Sequence, residues 1–299
     1  MVARHLRRTF RNCSRCSNLP IDEEHNVILE FDRVDKSYGE VRALDALSFA
    51  VKRGEIVALL GPNGAGKTTA LEIAVGLRSC DSGEVRLFGR SPRSVDVRRR
   101  LGVTPQESGF PDMLRVNEIA AYVARHYPNA APISEALETF GLTPLAGRRA
   151  GTLSQGQSRR LAVALAFVGR PELVVLDEPT TGLDVESRRN LWDVVRRASE
   201  HRSILFTTHY LEEAQALASR IVVIDNGAVR FDGDPRALRA RMGTRRLSYV
   251  GSDGQIVVNA TDSDAYVREL VTSGIAFSDL EIAAPSLEEA FLSLTGGHA

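Results

Sequence analysis

With 299 residues, 43% of them hydrophobic and 25% charged, the chain has the composition of a globular protein with a sizeable core. Its 38 basic and 38 acidic residues balance to zero net charge, which argues against a nucleic-acid partner held on a basic surface. The three cysteines, Cys13, Cys16 and Cys80, are too few for a disulfide framework and point to a reducing compartment, and no apolar run reaches the roughly 18–20 residues that span a bilayer.

In chain order, residues 1–26 are polar and arginine-rich, lack the apolar segment of a secretory signal, and read as a flexible extension. Cys13 and Cys16 form a lone CxxC without a second pair, so neither zinc nor redox chemistry is assigned to them. From Val27 the sequence alternates apolar and polar residues, as expected of paired strands. Ile56 to Leu60 is a continuous apolar run, the pattern of a parallel strand buried on both faces. A helix is expected from Lys67 to about Leu77, then a strand at "GEVRLFG". Residues 112–150 read as interrupted helix, with breaks at Pro128, Pro132 and Gly141 to Pro144, followed by a helix over 154–168. Strands at Leu173–Leu176, Ser203–Thr207 and Ile221–Ile224 then alternate with helices at Val185–Glu200 and Glu212–Ser219.

This alternation implies right-handed crossovers and a mostly parallel sheet. The expected fold is α/β: a parallel-sheet core, an N-terminal antiparallel β part and an inserted helical subdomain over about 107–168. A small C-terminal α+β appendage spans 245–299.

Two segments carry phosphate chemistry. "GPNGAGKTT" runs through Gly61, Pro62, Asn63, Gly64, Ala65, Gly66, Lys67, Thr68 and Thr69, between an expected strand and helix. Backbone N–H groups and the helix N-terminus there can wrap a phosphate. Lys67 reaches the β- and γ-oxygens, and the Thr68 hydroxyl is a ligand for Mg²⁺. Only Lys36, Lys52 and Lys67 are lysines, so a lysine in this glycine loop is not the chain's default cation. "LVVLDEP" is an apolar strand ending in Asp177, a candidate Mg²⁺ partner through water, and Glu178, the candidate general base for an attacking water.

Three further residues admit two readings each. Gln106 is a metal ligand or water-orienting amide, or a polar surface residue. His209, at the end of a strand, contacts a γ-phosphate or caps a helix. Tyr38 stacks on a base or fills a strand position.

"GPNGAGKTT", Gln106, "LSQGQ", "LVVLDEP", "TGLD" and His209 occur in the order and approximate spacing of an ABC-type ATPase. Over residues 27–240 the chain therefore resembles the nucleotide-binding subunits of ATP-binding cassette transporters. That resemblance implies a P-loop NTPase core, ATP and Mg²⁺ as cofactors, Tyr38 stacked on adenine and His209 sensing the γ-phosphate. It implies that Gln106 acts in catalysis and metal binding and links the site to a membrane permease. It also implies that Ser154, Gly156 and Gln157 meet the nucleotide of a second subunit, in a dimer for which Asp184 crosses between the chains. Gln155 stands where the family has glycine. Because Gly156 is kept, position 155 is not expected to need an unusual backbone, and restoring glycine is expected to change turnover little.

"APSLEEAFLSLTG" combines a capping box at Ser286 and Glu289 with an amphipathic stripe. It resembles the closing motif of daunorubicin-resistance-type exporter ATPases. The implied assembly is a homodimer, without nucleic acid, lying peripherally at the cytoplasmic face of the membrane on a separate permease that exports a drug-like, lipid or other hydrophobic compound. The absence of a heptad tract between Lys67 and Leu153 speaks against a chromosome-type ABC ATPase. A single cassette speaks against the ribosome-associated type, which is the alternative reading.

Overall fold

The computed structural model describes residues 26–106, 109–200, 202–252 and 254–296. The reading of residues 1–26, with Cys13 and Cys16, falls almost wholly outside them. The chain begins with β1 (Val27–Tyr38) and β2 (Val41–Lys52), followed by β3 (Ile56–Leu60), α1 (Lys67–Ala74), β4 (Ser82–Leu87), the single turn α2 (Val95–Arg98) and β5 (Leu101–Thr104). Next come α3 (Val116–Ala124), α4 (Ile133–Thr139), α5 (Gln155–Val168), β6 (Leu173–Leu176), α6 (Val185–Ala198), β7 (Ser203–Thr208) and α7 (Leu211–Leu217). The chain continues through β8 (Arg220–Asp225), β9 (Ala228–Gly233), α8 (Pro235–Ala240), β10 (Arg245–Gly251), β11 (Gly254–Ala260), α9 (Ser263–Thr272), β12 (Ser278–Ala283) and α10 (Leu287–Leu294).

The central sheet has the order β5-β6-β7-β3-β8-β9, with every pairing parallel except β8 with β9. Both faces of β3, β6 and β7 are covered, which is why β3 and β6 are continuous apolar runs rather than alternating ones. The strands expected at Ile56–Leu60 and Leu173–Leu176 form with those bounds. A separate antiparallel sheet, β2-β1-β4, supplies the N-terminal β part, with Phe31 and Phe49 stacked across one pair at 4.6 Å between ring centroids. One core cluster gathers the sheet residues Leu60, Leu176 and Phe206 with Val116, Leu137, Phe140, Leu161 and Leu165 of the helical insertion.

Two strands have no counterpart in the sequence reading. β5 is four residues long, follows three arginines and contains Gly102, so neither length nor propensity marks it. β9 follows a turn in which Asn226 and Gly227 both have positive φ, as in a tight hairpin, but its apolar residues are too few to show alternation. The first helix is shorter than expected because Gly76, at φ 75°, turns the chain away.

In the C-terminal region β10 pairs antiparallel with both β11 and β12. The capping box at α10 forms as read: Glu289 N donates to Ser286 Oγ at 3.1 Å, and Ser286 N donates to Glu289 Oε2 at 2.8 Å. Leu287 and Ala290 then bury α10 in the core cluster that contains Leu217 and Leu238.

Gly102 shows how closely α5 packs on the sheet. A Cβ there would lie 1.9 Å from the carbonyl oxygen of Ala166. Gly102→Ala is expected to lower the unfolding free energy by about 1–3 kcal/mol through overpacking. Urea denaturation checks this, and an unchanged midpoint would contradict the close approach.

Candidate active site

Strand β3 ends at Leu60, and the glycine loop carries the chain into α1. Two of its glycines are required for space: a Cβ on Gly61 would lie 2.3 Å from Ile224 O, and one on Gly66 2.3 Å from Ala43 O. Gly66, at φ 101°, caps α1 without a side chain, so the first-turn amides of the helix face the loop's concavity. Lys67 is buried, and its Nζ donates to Gly61 O at 2.7 Å and Pro62 O at 2.9 Å. An ammonium has three donors, so one remains for a phosphate oxygen. Burial lowers the pKa of Lys67, while the charges of Glu178 and Asp177 act in the opposite direction.

Asp177 and Glu178 follow β6 at the C-terminal edge of the sheet. In regular strand they would face opposite ways. Glu178 instead adopts φ 45°, a left-handed conformation that costs a non-glycine residue about 1–2 kcal/mol. Thr207 of β7 holds both residues: its hydroxyl donates to Asp177 Oδ1 at 2.5 Å and accepts from Glu178 N at 2.9 Å. The Glu178 carboxylate accepts from Thr181 Oγ1 at 2.8 Å and lies 3.4 Å from His209 Nδ1.

Asp177 is also hydrogen-bonded by the Thr68 hydroxyl. Desolvation raises its pKa, the bonds from Thr207 and Thr68 oppose that rise, and Glu178 adds to it. Gln106 lines one cavity together with Thr68 and Asp177. A hydroxyl, a carboxylate and an amide oxygen are the hard donors that suit Mg²⁺, a cation that takes few protein ligands and keeps waters and phosphates for the rest. The residues present therefore fit the cation.

Tyr38 ends β1, half exposed, with Lys36 Nζ at 5.6 Å and the Arg78 guanidinium carbon at 5.3 Å from its ring centroid. Its hairpin partner β2 brings Ala43 and Leu44 against Gly66, so the hairpin abuts the glycine loop. His209 packs on Tyr210 at 4.0 Å between centroids, and Arg188 covers the Tyr210 ring at 3.7 Å.

The second loop forms a separate constellation. Ser154 caps α5 in a reciprocal box: Gln157 N donates to Ser154 Oγ at 3.2 Å, and Ser154 N donates to Gln157 Oε1 at 3.0 Å. The Ser154 hydroxyl keeps its own proton to donate. Gln155 is the first helical residue, and neither it nor Gly156 has positive φ, so the glycine missing at 155 is not needed by the backbone. Its side chain rests on the turn before α6 instead: a Cβ on Gly182 would lie 2.5 Å from Gln155 Nε2. Asp184 caps α6, accepting from Ser187 N at 2.8 Å and Ser187 Oγ at 2.7 Å, and these bonds lower its pKa.

Three polar residues at the centre went unread in the sequence. Thr207 looks like any strand threonine. Glu213 is fully buried and accepts from Thr180 Oγ1 at 3.0 Å and Trp192 Nε1 at 3.1 Å. Arg159 is buried and, among the described residues, donates only to backbone carbonyls. A signal for Arg159 existed: it shares one helix face with Ala162, Val163 and Ala166, all buried.

Residues 44–181 match the ABC transporter family profile. The chain is 42% identical over 220 residues to a Nod factor export ATP-binding protein I of Paraburkholderia xenovorans, covering 71% of this chain and 72% of that protein. It is 35% identical over 304 residues to the daunorubicin resistance ATP-binding protein DrrA2 of Streptomyces coeruleorubidus, covering 89% and 94%. Among solved structures it resembles a dimeric bacterial ABC transporter cassette, with 25% identity, a TM-score of 0.63, and coverage of 69% of this chain and 98% of that one.

Because Thr207 serves both members of the carboxylate pair, Thr207→Val is expected to cost about 1–3 kcal/mol of stability by leaving buried polar atoms short of a partner. Chemical denaturation measures it, and a loss below a few tenths of a kcal/mol would contradict the bridging role.

Proposed function

This chain belongs to the ATP-binding subunits of the ABC transporter family, and on that premise we propose that two copies clasp two ATP molecules head to tail and drive export through a separate membrane permease. As a family member the chain is an ATPase. The observation that carries the dimer reading is the second constellation: the N-terminus of α5, with Ser154, packs with the 182–187 turn as a unit apart from the glycine loop. A helix N-terminus of this kind favours an anion. The resemblance to a dimeric cassette supports a partner's nucleotide as that anion.

In this reading Gly61 to Thr69 bind the phosphates through backbone amides, and Lys67 neutralises the β- and γ-oxygens. Tyr38 stacks on the adenine. Thr68, Asp177 and Gln106 would hold Mg²⁺, which would supply charge neutralisation to the phosphates. Glu178 accepts a proton from the attacking water, a contribution of about 10²–10⁴-fold for a well-placed base. His209, whose Nδ1 lies 3.4 Å from Glu178 Oε2, meets the γ-phosphate beside that water, a reading that its closeness to the base supports. From the opposite subunit, the Ser154 hydroxyl, the Gly156 amide and Gln157 close over the γ-phosphate, and Asp184 reaches across the interface. Loss of the γ-phosphate then removes the group that bridges the halves, and the dimer relaxes.

Export is supported by the relatives, one named for Nod factor export and one for daunorubicin resistance, and by the C-terminal "SLEEAF" segment. The exported compound is drug-like, lipid or otherwise hydrophobic. No helix among the described residues is long and apolar enough to cross a membrane, which suits a subunit that sits peripherally on the cytoplasmic face of a permease.

Glu178→Gln keeps the size of the side chain and removes the base. It is expected to bind ATP, to lose turnover at least a hundredfold, and to elute with ATP as a stable dimer when the membrane partner is present. Monomer alone under those conditions would contradict the clasped dimer, and undiminished turnover would contradict the role of Glu178.

A further inference from the structure

Arg159 sits one turn into α5, on its buried face, and its guanidinium touches no carboxylate among the described hydrogen bonds. Nε donates to Pro179 O at 3.0 Å. Nη1 donates to Pro105 O and Gln106 O, each at 2.9 Å. Nη2 donates to Asp177 O and Glu178 O, each at 2.6 Å. A guanidinium has five N–H donors, and here each meets its own backbone carbonyl. Such saturation is what allows a buried cation to persist, because an unpaired one would be prohibitive.

The consequence for Glu178 follows from peptide geometry. In a planar trans peptide the carbonyl and the following N–H point in opposite directions. Drawing Asp177 O toward Arg159 therefore aims Glu178 N–H away from it, and that N–H is the one Thr207 accepts at 2.9 Å. The guanidinium on one side and the Thr207 hydroxyl on the other grip a single peptide plane, and the next residue is the strained Glu178. The same guanidinium also grips the 105–106 backbone, and it is carried by the helix that Ser154 begins.

We infer that Arg159 is the positioning residue that holds Glu178 in its left-handed turn and makes that geometry depend on the Gln106 loop and on the helix of the second phosphate loop. The inference rests on the role proposed above for Glu178 as base. Displacement of either the Gln106 loop or α5 pulls on the carbonyls of residues 177–179 through one rigid group, so the base is in place only when the two are seated. Lysine, with three donors and no planar fork, cannot serve five carbonyls at once.

The test uses the full-length chain with Arg159→Lys and Arg159→Met, measuring ATP affinity and turnover per bound ATP. The glycine loop is untouched, so affinity is expected to stay within threefold of the parent. Turnover per bound ATP is expected to fall at least thirtyfold in Arg159→Met and by an intermediate factor in Arg159→Lys. Should Arg159→Met fail to fold, Arg159→Lys decides the matter by the same split. Turnover per bound ATP within twofold of the parent would overturn the inference, as would affinity falling in step with turnover, the mark of a purely structural role. Glu178→Gln is measured alongside: if it hydrolyses ATP as fast as the parent, the assignment of the base fails rather than the inference about Arg159.

Discussion

Strand β7 lies hydrogen-bonded between β3 and β6, and the chemistry of the site depends on that pairing. The register sets Thr208 beside Leu60 and Phe206 beside Leu176, so the glycine loop, the carboxylate pair and His209 all leave the sheet at one edge. A slip of one residue would move Thr207 by about 3.3 Å along the sheet. That distance would carry its hydroxyl out of reach of both Asp177 and the Glu178 amide. Ligand sites at the carboxyl ends of parallel strands follow from this geometry, because loops from adjacent strands converge there.

The site keeps several ionisable groups out of water, each with compensation that a hydrophobic core would not need. Lys67 is held by loop carbonyls and by the charges of Asp177 and Glu178; Asp177 is held by two hydroxyls. Glu213 rests on donors from Thr180, Trp192 and Thr208, and burial raises its pKa against those bonds. Its partners come from the turn after Glu178, from α6 and from the end of β7. A deleted member would leave the others unpaired in a low-dielectric interior, which costs more than the bond itself contributes. The arrangement therefore has few alternative states, and the strained turn at Glu178 persists because its surroundings over-determine it.

Much of this was legible in the sequence where one residue type has one physical use. The continuous apolar runs gave β3 and β6 their bounds, and the Ser286–Glu289 spacing foretold its capping box. The glycine loop was legible because Gly66 stands where the backbone is left-handed and a side chain would strike Ala43. What stayed hidden is what depends on tertiary approach. β5 is a strand because Gly102 admits the backbone of α5. Thr207 matters because of register, and Arg159 because five carbonyls from two distant loops meet at it. In a chain where almost every cation is arginine, residue type did not single out Arg159; only its place on the apolar face of α5 did. The departure at Gln155 was correctly read as tolerable to the backbone, but its contact with Gly182 belongs to the fold.

The central claim is that the two phosphate loops of one chain serve different nucleotides. The most direct measurement is cross-linking between two differently tagged copies, one carrying Asn63→Cys in the glycine loop and the other Thr152→Cys beside Ser154, with Cys13, Cys16 and Cys80 replaced by serine. With ATP bound and turnover blocked by Glu178→Gln, a short bifunctional maleimide is expected to join the two tags into one covalent dimer, and to do so far less without ATP. No link between the two tags above the level seen without ATP, while ATP is demonstrably bound, would contradict the account.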